Sequence, residues 1–341
     1  MKFLITGVAG FIGFHVAQYF LQAGDEVIGL DNLNNYYQDA DLKTARLKII
    51  SDHDNFIFIK EDVANREAII ELFRTHMVQR VIHLAAQAGV RHSLENPSLY
   101  AYTNLVGHLN ILEGCRQYEV EHLLYASSSA VYGLNYQMPF SINDDTTHPI
   151  SLYAATKKSN ELMSHVYSHL YGIPTTGLRF FTVYGPWGRP DMALFRFIES
   201  ILADEAINIY NYGQMERDFT YIDDVVESIM TLHNIIPKID REWKPEGGQL
   251  SRSSAPYQVH NIGTGQPVTL MTYITALENA LGKVAHKNLL PRQPGDMIAT
   301  SADVSTLTQA IGFQPSTSVE EGVRRFVKWY KEFYLNTIKT S

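Results

Sequence analysis

The fold is decided by a stretch near the start of the chain, Lys2-Phe3-Leu4-Ile5-Thr6-Gly7-Val8-Ala9-Gly10-Phe11-Ile12-Gly13. Its first five residues are apolar enough to predict a short buried strand, and a helical pattern follows the last glycine as far as Ala23. The glycines recur at every third position between these elements, where they permit a tight turn and the close approach of another backbone. This order of strand, glycine turn and helix is typical of the first unit of a doubly wound α/β fold.

Strand and helix patterns alternate along most of the remaining chain. Further strands are predicted at 26–30, 56–59, 81–86, 122–126, 177–181 and 258–263, and the main helices between them at 66–75, 98–118 and 153–171. Strands that alternate with helices at this spacing indicate right-handed βαβ units. We therefore predict an α/β fold with a doubly wound parallel sheet, the Rossmann architecture.

The glycine turn and the end of the second strand indicate the ligand of this fold. Free N–H groups at the start of a helix bind a pyrophosphate, and glycines let it come close. Asp31 follows the second strand, about 20 residues beyond the glycine turn. A carboxylate there accepts hydrogen bonds from the adenosine ribose and repels a 2′-phosphate, so we predict NAD rather than NADP. An Asx turn at the strand end is the alternative explanation for Asp31.

Three kinds of side chain indicate acid–base chemistry at the carboxyl edge of this sheet. Tyr153 and Lys157 are four residues apart in a helical pattern, so they share one face. A cation beside a phenol favours the phenolate, so we expect Lys157 to lower the pKa of Tyr153 and make it a general base and acid. Ser127-Ser128-Ser129 follows the fifth strand, at the edge where such sheets bind ligands. Chance spacing on a solvated helix face would explain the Tyr–Lys pair by itself, but the serines make the combination more specific.

Composition narrows the class of protein. The 341 residues carry a net charge of −8, which argues against a general nucleic-acid-binding protein. The single cysteine, Cys115, excludes an intrachain disulfide and suits a reducing compartment. No uncharged apolar run approaches the ~20 residues that span a bilayer, so we predict a cytoplasmic protein without membrane insertion. The 13 histidines show no metal-binding spacing, and we predict no metal site.

Several motifs together resemble the extended short-chain dehydrogenase/reductase superfamily. Besides the glycine turn and the Tyr–Lys pair, they are Asp62-Val63, His83-Leu84-Ala85-Ala86 and the serines before Val131-Tyr132-Gly133. Within the superfamily the chain is most similar to the NAD-dependent nucleotide-sugar epimerases that act on UDP-glucuronate. That closer resemblance rests on the segments 87–91 with 93–97, 179–193 and 217–224.

The resemblance implies a reaction and a set of site residues. Such epimerases use a tightly bound NAD to oxidise carbon 4 of a UDP-sugar and then reduce it from the other face, which inverts that carbon. The implied catalytic residues are Ser128, Tyr153 and Lys157. The implied cofactor-binding residues are Gly7, Gly10, Phe11, Ile12, Gly13, Asp31, Asn32, Asp62, Val63, Leu84, Ala85, Ala86, Gln87, Asn104, Tyr153, Lys157 and Val183. The implied substrate-binding residues are Arg91, Ser128, Thr182, Arg189, Arg217 and Asp296.

The same resemblance assigns places to the substrate-binding residues. Arg189 and Arg217 match positions near the nucleotide diphosphate, and Asp296 matches a uridine-ribose contact. Arg91 and Thr182 match positions near the sugar and its carboxylate.

One position departs from the related galactose epimerases. They have an arginine where this chain has Gln293, and Arg292 is one position away. The role of Arg292 at the diphosphate therefore stays open.

The resemblance also gives a domain plan and an oligomeric state. Gly and Pro become frequent after residue 181, as in loops. We predict a NAD-binding Rossmann domain of residues 1–181 plus about 219–264, and a smaller mixed α/β substrate (UDP-sugar) domain of about 182–218 plus 265–341. The helices at 98–118 and 153–171 match the family's intermolecular four-helix bundle, which predicts a homodimer.

Four alternatives stay open at this point. Ser127 or Ser129 could replace Ser128 as the substrate contact. Related dehydratases and UDP-xylose-forming decarboxylases carry acids at the place of Ser129-Ala130, and their absence here favours simple epimerisation. The substrate could instead be UDP-glucose or UDP-N-acetylglucosamine. A non-catalytic NAD-sensing protein of the same fold is the alternative from another class, although it would not need the Tyr–Lys pair.

Overall fold

The computed structural model describes residues 1–35, 40–292 and 297–335. The strands of these residues are β1 (Lys2–Thr6), β2 (Glu26–Asp31), β3 (Phe56–Lys60), β4 (Arg80–His83), β5 (His122–Ser128), β6 (Thr175–Phe180), β7 (Thr182–Tyr184), β8 (Ile207–Ile209), β9 (Glu216–Arg217), β10 (Phe219–Tyr221), β11 (Tyr257–Ile262), β12 (Val268–Thr269) and β13 (Lys287–Leu289). The α-helices are α1 (Phe11–Gln22), α2 (Ala40–Ser51), α3 (Arg66–His76), α4 (His92–Glu95), α5 (Pro97–Ala101), α6 (Gly107–Gln117), α7 (Leu152–Tyr171), α8 (Ala193–Leu202), α9 (Ile222–Leu232), α10 (Leu270–Leu281), α11 (Ser305–Ile311) and α12 (Val319–Tyr330). Tyr102–Val106 and Lys331–Leu335 are π-helical, and Ser129–Tyr132 and Tyr210–Gly213 are 3₁₀-helical.

The main sheet has seven parallel strands in the order β3-β2-β1-β4-β5-β6-β11. The chain builds outward from β1 to β3, returns to place β4 on the other side of β1, and continues outward to β11. This change of direction leaves a crevice at the carboxyl ends of β1 and β4, where sheets of this kind bind ligands. The doubly wound parallel fold that the sequence predicts is confirmed.

Strand β1 lies in the middle of the sheet because its side chains are apolar on both faces. Phe3 and Ile5 are fully buried in a core that includes side chains of α1 and α9. Leu4 is fully buried in a second core that includes side chains of α3 and α6. Successive strand residues point to opposite faces, so one short apolar run contributes to both helical layers.

Three elements differ from the prediction. Strand β4 ends at His83, earlier than predicted. The N–H of Leu84 still donates to the backbone carbonyl of Thr6 at 3.2 Å, whereas the N–H of Ala85 donates to the Thr6 hydroxyl at 3.1 Å. The predicted helix at 98–118 is divided into α5 and α6 by a π-helical turn. Strand β7 lies in a segment predicted as loop, and it pairs with β10.

Residues after β6 that stay outside the main sheet form small sheets of their own. There β8 pairs with β13 and β9 with β12, and α10 packs on α12. Strand β11 returns to the main sheet beside β6. The predicted domain boundaries are compatible with this pairing and stay a prediction. Among the described helices, none is both long enough and apolar enough to cross a membrane.

Buried, uncharged histidines make the fold sensitive to acid. His108 on α6 is almost fully buried, and its Nε2 lies 2.9 Å from the hydroxyl of Ser164 on α7. Burial, with the charge of Lys157, lowers its pKa from 6.5 to about 3. Between these values the unfolded chain binds a proton that the folded chain does not. The stability that depends on neutral His108 is therefore present above pH 6.5 and is lost as the pH falls toward 3.

We expect His108→Gln to weaken this pH dependence, because its amide can still reach Ser164 but does not titrate. As the pH falls below 6.5, the wild type should lose unfolding free energy faster than the variant, by up to ~1.4 kcal/mol per pH unit. Denaturant titrations across this pH range measure the difference. Parallel losses in both proteins would show that His108 does not stay neutral in the folded state.

Candidate active site

Helix α7 presents Tyr153 and Lys157 to the crevice. It begins after Ser151, whose hydroxyl accepts a hydrogen bond from the N–H of Ala154 at 3.1 Å and caps the helix. This cap places Tyr153 in the first turn and Lys157 one turn later, and both line the main cavity. The helical Tyr–Lys spacing thus brings the two side chains to one site.

The ammonium of Lys157 is buried against strand β5. Its Nζ donates to the carbonyl oxygen of Ala126 at 2.9 Å. Burial lowers its pKa to about 8, and only 3% of the residue is exposed. The side chain is therefore held beside the strand that carries the serines.

The phenol of Tyr153 behaves differently from the prediction. Burial raises its pKa above the ordinary value, and this effect exceeds the opposing effects of a hydrogen bond from Ser128 and of the charge of Arg189. The sequence predicts instead that Lys157 lowers this pKa. That prediction is wrong for this structure, because Lys157 donates to a backbone carbonyl and the cation that acts on the phenol is Arg189.

One of the three serines is placed at the reaction centre. All three serines line the cavity. Ser128 ends β5, its hydroxyl accepts from the N–H of Ala130 at 3.1 Å, and it acts to lower the pKa of Tyr153. The hydroxyl of Ser127 is used elsewhere, since it donates to Glu161 at 2.7 Å in the core. Ser129 also lines the cavity, but it begins the 3₁₀ turn that follows. This geometry favours Ser128 among the alternatives.

A cavity of about 660 Å³ lies at the carboxyl edge of the sheet, a size typical of small-molecule sites. The predicted site residues that line it are Gly7, Gly10, Phe11, Ile12, Gly13, Asp31, Asn32, Val63, Leu84, Ala85, Ala86, Gln87, Arg91, Ser128, Tyr153, Lys157, Thr182, Val183, Arg189 and Arg217. Asp62 and Asn104 do not line it. Asp296 and Gln293 lie outside the described residues.

Asp62 and Asn104 support the cavity wall from behind. The carboxylate of Asp62 accepts from the side chain of Asn32 and from the N–H of Ala64, both at 2.8 Å. The amide of Asn104 accepts from the N–H of Gln87 at 2.8 Å and donates to its carbonyl at 3.0 Å. Each side chain therefore fixes a neighbour that lines the cavity, and the direct cofactor contact of each stays a prediction.

The glycine turn fits a pyrophosphate. Gly7 has a φ of +71°, and a Cβ at Gly13 would lie 2.1 Å from the carbonyl oxygen of Gly7. Helix α1 begins at Phe11, and its N-cap, Gly10, has no side chain that could cap it. The N–H groups at this helix start and the positive end of its dipole therefore face a close-fitting space for an anion.

The carboxylate of Asp31 lies at the edge of the cavity. It accepts from the N–H of Ala9 at 3.2 Å and from the N–H of Leu33 at 2.9 Å, and the second bond is the Asx turn considered above. Lys43 of α2, which sequence reasoning missed, lies 3.7 Å from the same carboxylate and also lines the cavity. Asp31 therefore forms the Asx turn and also lines the cavity.

Gln87 presents a buried acceptor to the cavity. Only 2% of the residue is exposed, and its Oε1 has no hydrogen-bond partner within the described part of the chain. A buried polar atom without a partner is costly, so this oxygen suits an amide or hydroxyl donor of a bound ligand. Together with the glycine turn, it shows that the residues present fit NAD.

Arg189 contributes a cation to the cavity wall. Its guanidinium lines the cavity and contacts Asp191 through two hydrogen bonds of 2.9 and 2.5 Å. Its charge acts to lower the pKa of Tyr153, less strongly than burial raises it. The place near the diphosphate that the resemblance gives Arg189 stays a prediction.

The other predicted cations lie elsewhere around the cavity. Arg217 donates to the carbonyl of Met297 at 2.7 Å, and both residues line the cavity. Arg91 lies over the ring of Tyr210, with 5.8 Å between its Cζ and the ring centroid. Arg292 is exposed and does not line the cavity.

Two further observations concern the chemistry that the site can support. Ala130 lines the cavity with a methyl group where related dehydratases and decarboxylases have an acid. Within the described ranges, no group of three His, Cys, Asp or Glu side chains could hold a metal ion. The arrangement supports acid–base chemistry on an alcohol beside a dinucleotide.

Comparison with known proteins agrees with this geometry. The model of a family described as NAD dependent epimerase/dehydratase matches residues 3–240. A probable UDP-glucuronate 4-epimerase of Rhizobium meliloti is 49% identical over 98% of both chains. The solved UDP-glucuronic acid 4-epimerase of Bacillus cereus, in complex with UDP-glucuronic acid and NAD, has a TM-score of 0.84 and 33% identity over 98% of this chain and 100% of its own. The UDP-glucose 4-epimerase of Thermotoga maritima, solved with UDP-glucose, has a TM-score of 0.83 and 30% identity over 97% and 99%.

The family match covers most of the chain, and within it lie the glycine turn, the serines and the Tyr–Lys pair of α7. Fold, cavity and sequence thus agree on one assignment. The chain belongs to the NAD dependent epimerase/dehydratase family.

Proposed function

We propose that the protein is a UDP-glucuronate 4-epimerase, which interconverts UDP-glucuronate and UDP-galacturonate through a 4-keto intermediate with tightly bound NAD. The observation that carries the proposal is the meeting of Ser128, Tyr153 and Lys157 at one cavity, whose lining also includes Arg189. The Rhizobium and Bacillus relatives, which bear this activity in their names, support it.

The chain contributes acid–base catalysis and orientation to the reaction. NAD, in its oxidised form, supplies the hydride acceptor and a further positive charge. Ser128 and Tyr153 hydrogen-bond the sugar's 4-hydroxyl. Tyr153 accepts its proton only as the phenolate, a form that the positive charge of bound NAD would favour against the effect of burial, as carbon 4 loses a hydride. The 4-keto sugar turns over in the cavity, and Tyr153 returns the proton when hydride has come back to the other face. Lys157, fixed by Ala126, holds the nicotinamide ribose.

Arg189 gives a physical reason for glucuronate as the substrate. The carboxylate is attached to carbon 5, next to the carbon whose hydroxyl would meet Tyr153, and Arg189 lines the same cavity as Tyr153. A guanidinium binds a carboxylate through two parallel hydrogen bonds. We therefore assign Arg189, with Thr182, to the sugar carboxylate and leave Arg217 at the diphosphate.

UDP-glucose is the second candidate, because the Thermotoga enzyme has the same fold. Purified protein incubated with UDP-glucuronate, UDP-glucose and UDP-N-acetylglucosamine, with products separated by anion-exchange chromatography, distinguishes them. UDP-galacturonate should be the main product. Preferential conversion of an uncharged sugar would contradict the proposal, and a UDP-pentose product would indicate a decarboxylase despite Ala130.

We expect NAD to stay bound through purification, because each cycle regenerates it and the glycine turn closes on the pyrophosphate. Denaturing the protein and assaying the supernatant should give NAD close to stoichiometric with the chain. Gly13→Ala is the matched variant, since its Cβ would lie 2.1 Å from the carbonyl oxygen of Gly7, and it should lose the cofactor. A wild-type protein that is active without any NAD would rule out the redox mechanism.

We also propose a homodimer built on an apolar surface of α5, α6 and α7, which pack against one another. Between 37% and 62% of each of its side chains is exposed. They are Leu99, Tyr102, Val106, Leu109, Leu162, Val166 and Leu170. Two copies of this surface would form the four-helix bundle that the resemblance implies.

The dimer is tested by charge at the centre of this surface. Val166→Glu should give a monomer, because two copies of the carboxylate would be buried against each other. Ile239→Glu, at a residue 62% exposed outside the surface, is the control and should stay dimeric. Sedimentation at micromolar concentration measures the mass. A wild-type mass of 38.6 kDa would contradict the dimer.

The proposed cellular site is the cytoplasm. Cys115 is a free, buried thiol, and burial raises its pKa and keeps it unreactive. A chain that relies on no disulfide suits a reducing compartment.

A further inference from the structure

Arg46 of α2 links the cofactor side of the cavity to the substrate side. Its guanidinium is fully buried, and its Nη1 donates to the carbonyl of Ala9 at 2.8 Å. Its Nη2 donates to the carbonyls of Trp187 at 2.6 Å and Gly188 at 3.2 Å. Ala9 belongs to the glycine turn, and Trp187 and Gly188 directly precede Arg189. One side chain thus joins the backbone of two binding loops.

The segment that Arg46 holds has a strained backbone. Trp187 has a φ of +63°, in the left-handed region that a bulky residue rarely adopts. Such a conformation persists only where the surroundings enforce it. The indole of Trp187 packs against Trp329 and Phe333, with ring centroids 5.1 and 4.8 Å away. The Nε2 atom of His15 lies 3.0 Å from the carbonyl oxygen of Pro186, the residue before Trp187. Arg46 fixes the strained peptide itself.

The direction of the Arg189 side chain depends on this peptide. The Gly188–Arg189 bond sets where the Arg189 Cα–Cβ bond points, and the guanidinium reaches Asp191 at 2.9 Å on the wall of the cavity that Tyr153 also lines. Releasing the two carbonyls would let Trp187 leave its strained conformation. The guanidinium of Arg189 would then lose its fixed position in the cavity.

We propose that Arg46 is a positioning residue that ties the glycine turn to the Trp187–Gly188 backbone and thereby sets Arg189 for the carboxylate of the substrate. The inference rests on the proposed function and deepens it, because it names a residue outside the cavity lining that governs recognition of the sugar acid. This positioning role differs from that of a buried arginine that only stabilises α2.

A double-mutant cycle with Arg189 tests the proposal. In the wild-type background, Arg46→Met should lower kcat/KM for UDP-glucuronate by about tenfold to 10²-fold, as expected for a displaced substrate-binding group. In the Arg189→Met background, it should cost less than about threefold, because the group that it positions is gone. Equal losses in both backgrounds would overturn the proposal. Arg46→Lys keeps a buried cation that cannot bridge all three carbonyls, and it should show the same non-additivity if the Met variant does not fold.

Two further readouts separate this role from simple structural support. NAD content and thermal unfolding are measured for every variant, and NAD should be retained. A loss of activity that added NAD restores would place the effect in the glycine turn and overturn the proposal. Arg80→Met is the control, since Arg80 is another buried arginine that donates to a backbone carbonyl, that of His233, at the amino end of β4. It should lower stability and leave kcat/KM unchanged.

Failure of the inference and failure of the proposed function give different results. A wild-type protein that does not convert UDP-glucuronate contradicts the proposed function. An active wild type with additive effects of Arg46→Met and Arg189→Met contradicts the role of Arg46 and leaves the function standing.

Discussion

Tyr153→Phe should lower kcat for UDP-glucuronate by about 10²- to 10⁴-fold, the usual contribution of general acid–base catalysis. The variant removes one oxygen, the atom that would receive the proton of the 4-hydroxyl. NAD should remain bound, because the glycine turn and Gln87 are untouched. Steady-state rates and NAD content of the purified variant measure the two effects separately.

Tyr167→Phe is the control for Tyr153→Phe. Tyr167 lies on the same helix, and its hydroxyl donates to Glu113 at 2.7 Å, away from the cavity. Its loss should leave kcat unchanged within about twofold, since it does not touch the reacting atoms. A loss below tenfold in Tyr153→Phe would mean that another group takes the proton.

Discrimination between UDP-glucuronate and UDP-glucose should be at least ~10²-fold in kcat/KM, and Arg189→Met should remove most of it. A cation placed for a carboxylate gives UDP-glucuronate a charge-assisted pair that a neutral sugar cannot form, which favours the acid. The variant lacks the cation, so UDP-glucuronate loses its advantage while UDP-glucose changes little. Initial rates with both substrates give the ratio.

Arg217→Met is the matched control for this measurement. The diphosphate is common to both substrates, so loss of a cation near it should lower both kcat/KM values by a similar factor. If Arg189→Met lowers kcat/KM equally for both substrates, Arg189 binds the diphosphate and not the sugar carboxylate. Equal use of UDP-glucose by the wild type would assign the protein to the general epimerases.

The fold could be predicted because its signals are local. The glycine turn and the apolar run before it fixed β1 and the start of α1, and the alternation of strands and helices predicted a parallel sheet. Boundaries were less predictable, because they depend on side chains that are distant in the sequence. Beyond the end of β4, the N–H of Ala85 donates to the hydroxyl of Thr6 on β1, and nothing in the sequence near β4 indicates this.

The chemistry of the site could be predicted only in part. Motifs brought Ser128, Tyr153 and Lys157 together, but the effect of neighbouring charges on Tyr153 depends on the tertiary structure. Lys157 is turned toward a carbonyl of β5, and Arg189 arrives from a loop after β7. The distances between these groups decide the pKa, and sequence spacing does not report them.

Lys43 and Arg46 carried a signal that the sequence analysis missed. The buried positions of α2 are Leu42, Lys43, Arg46, Leu47 and Ile50, so two cations share the helical spacing of its apolar face. Cations at core positions need buried partners, which here are the carboxylate of Asp31 and backbone carbonyls of the binding loops. The polar composition of this segment concealed the pattern.

Transient oxidation at carbon 4 is tested most directly with UDP-glucuronate that carries deuterium at carbon 4. The hydride leaves and returns to the same carbon within one site, so we predict UDP-galacturonate that keeps the deuterium at carbon 4, detected by mass spectrometry and NMR of the purified product. Release of carbon dioxide with formation of a UDP-pentose, or UDP-galacturonate in which solvent hydrogen has replaced the deuterium, would contradict epimerisation by tightly bound NAD.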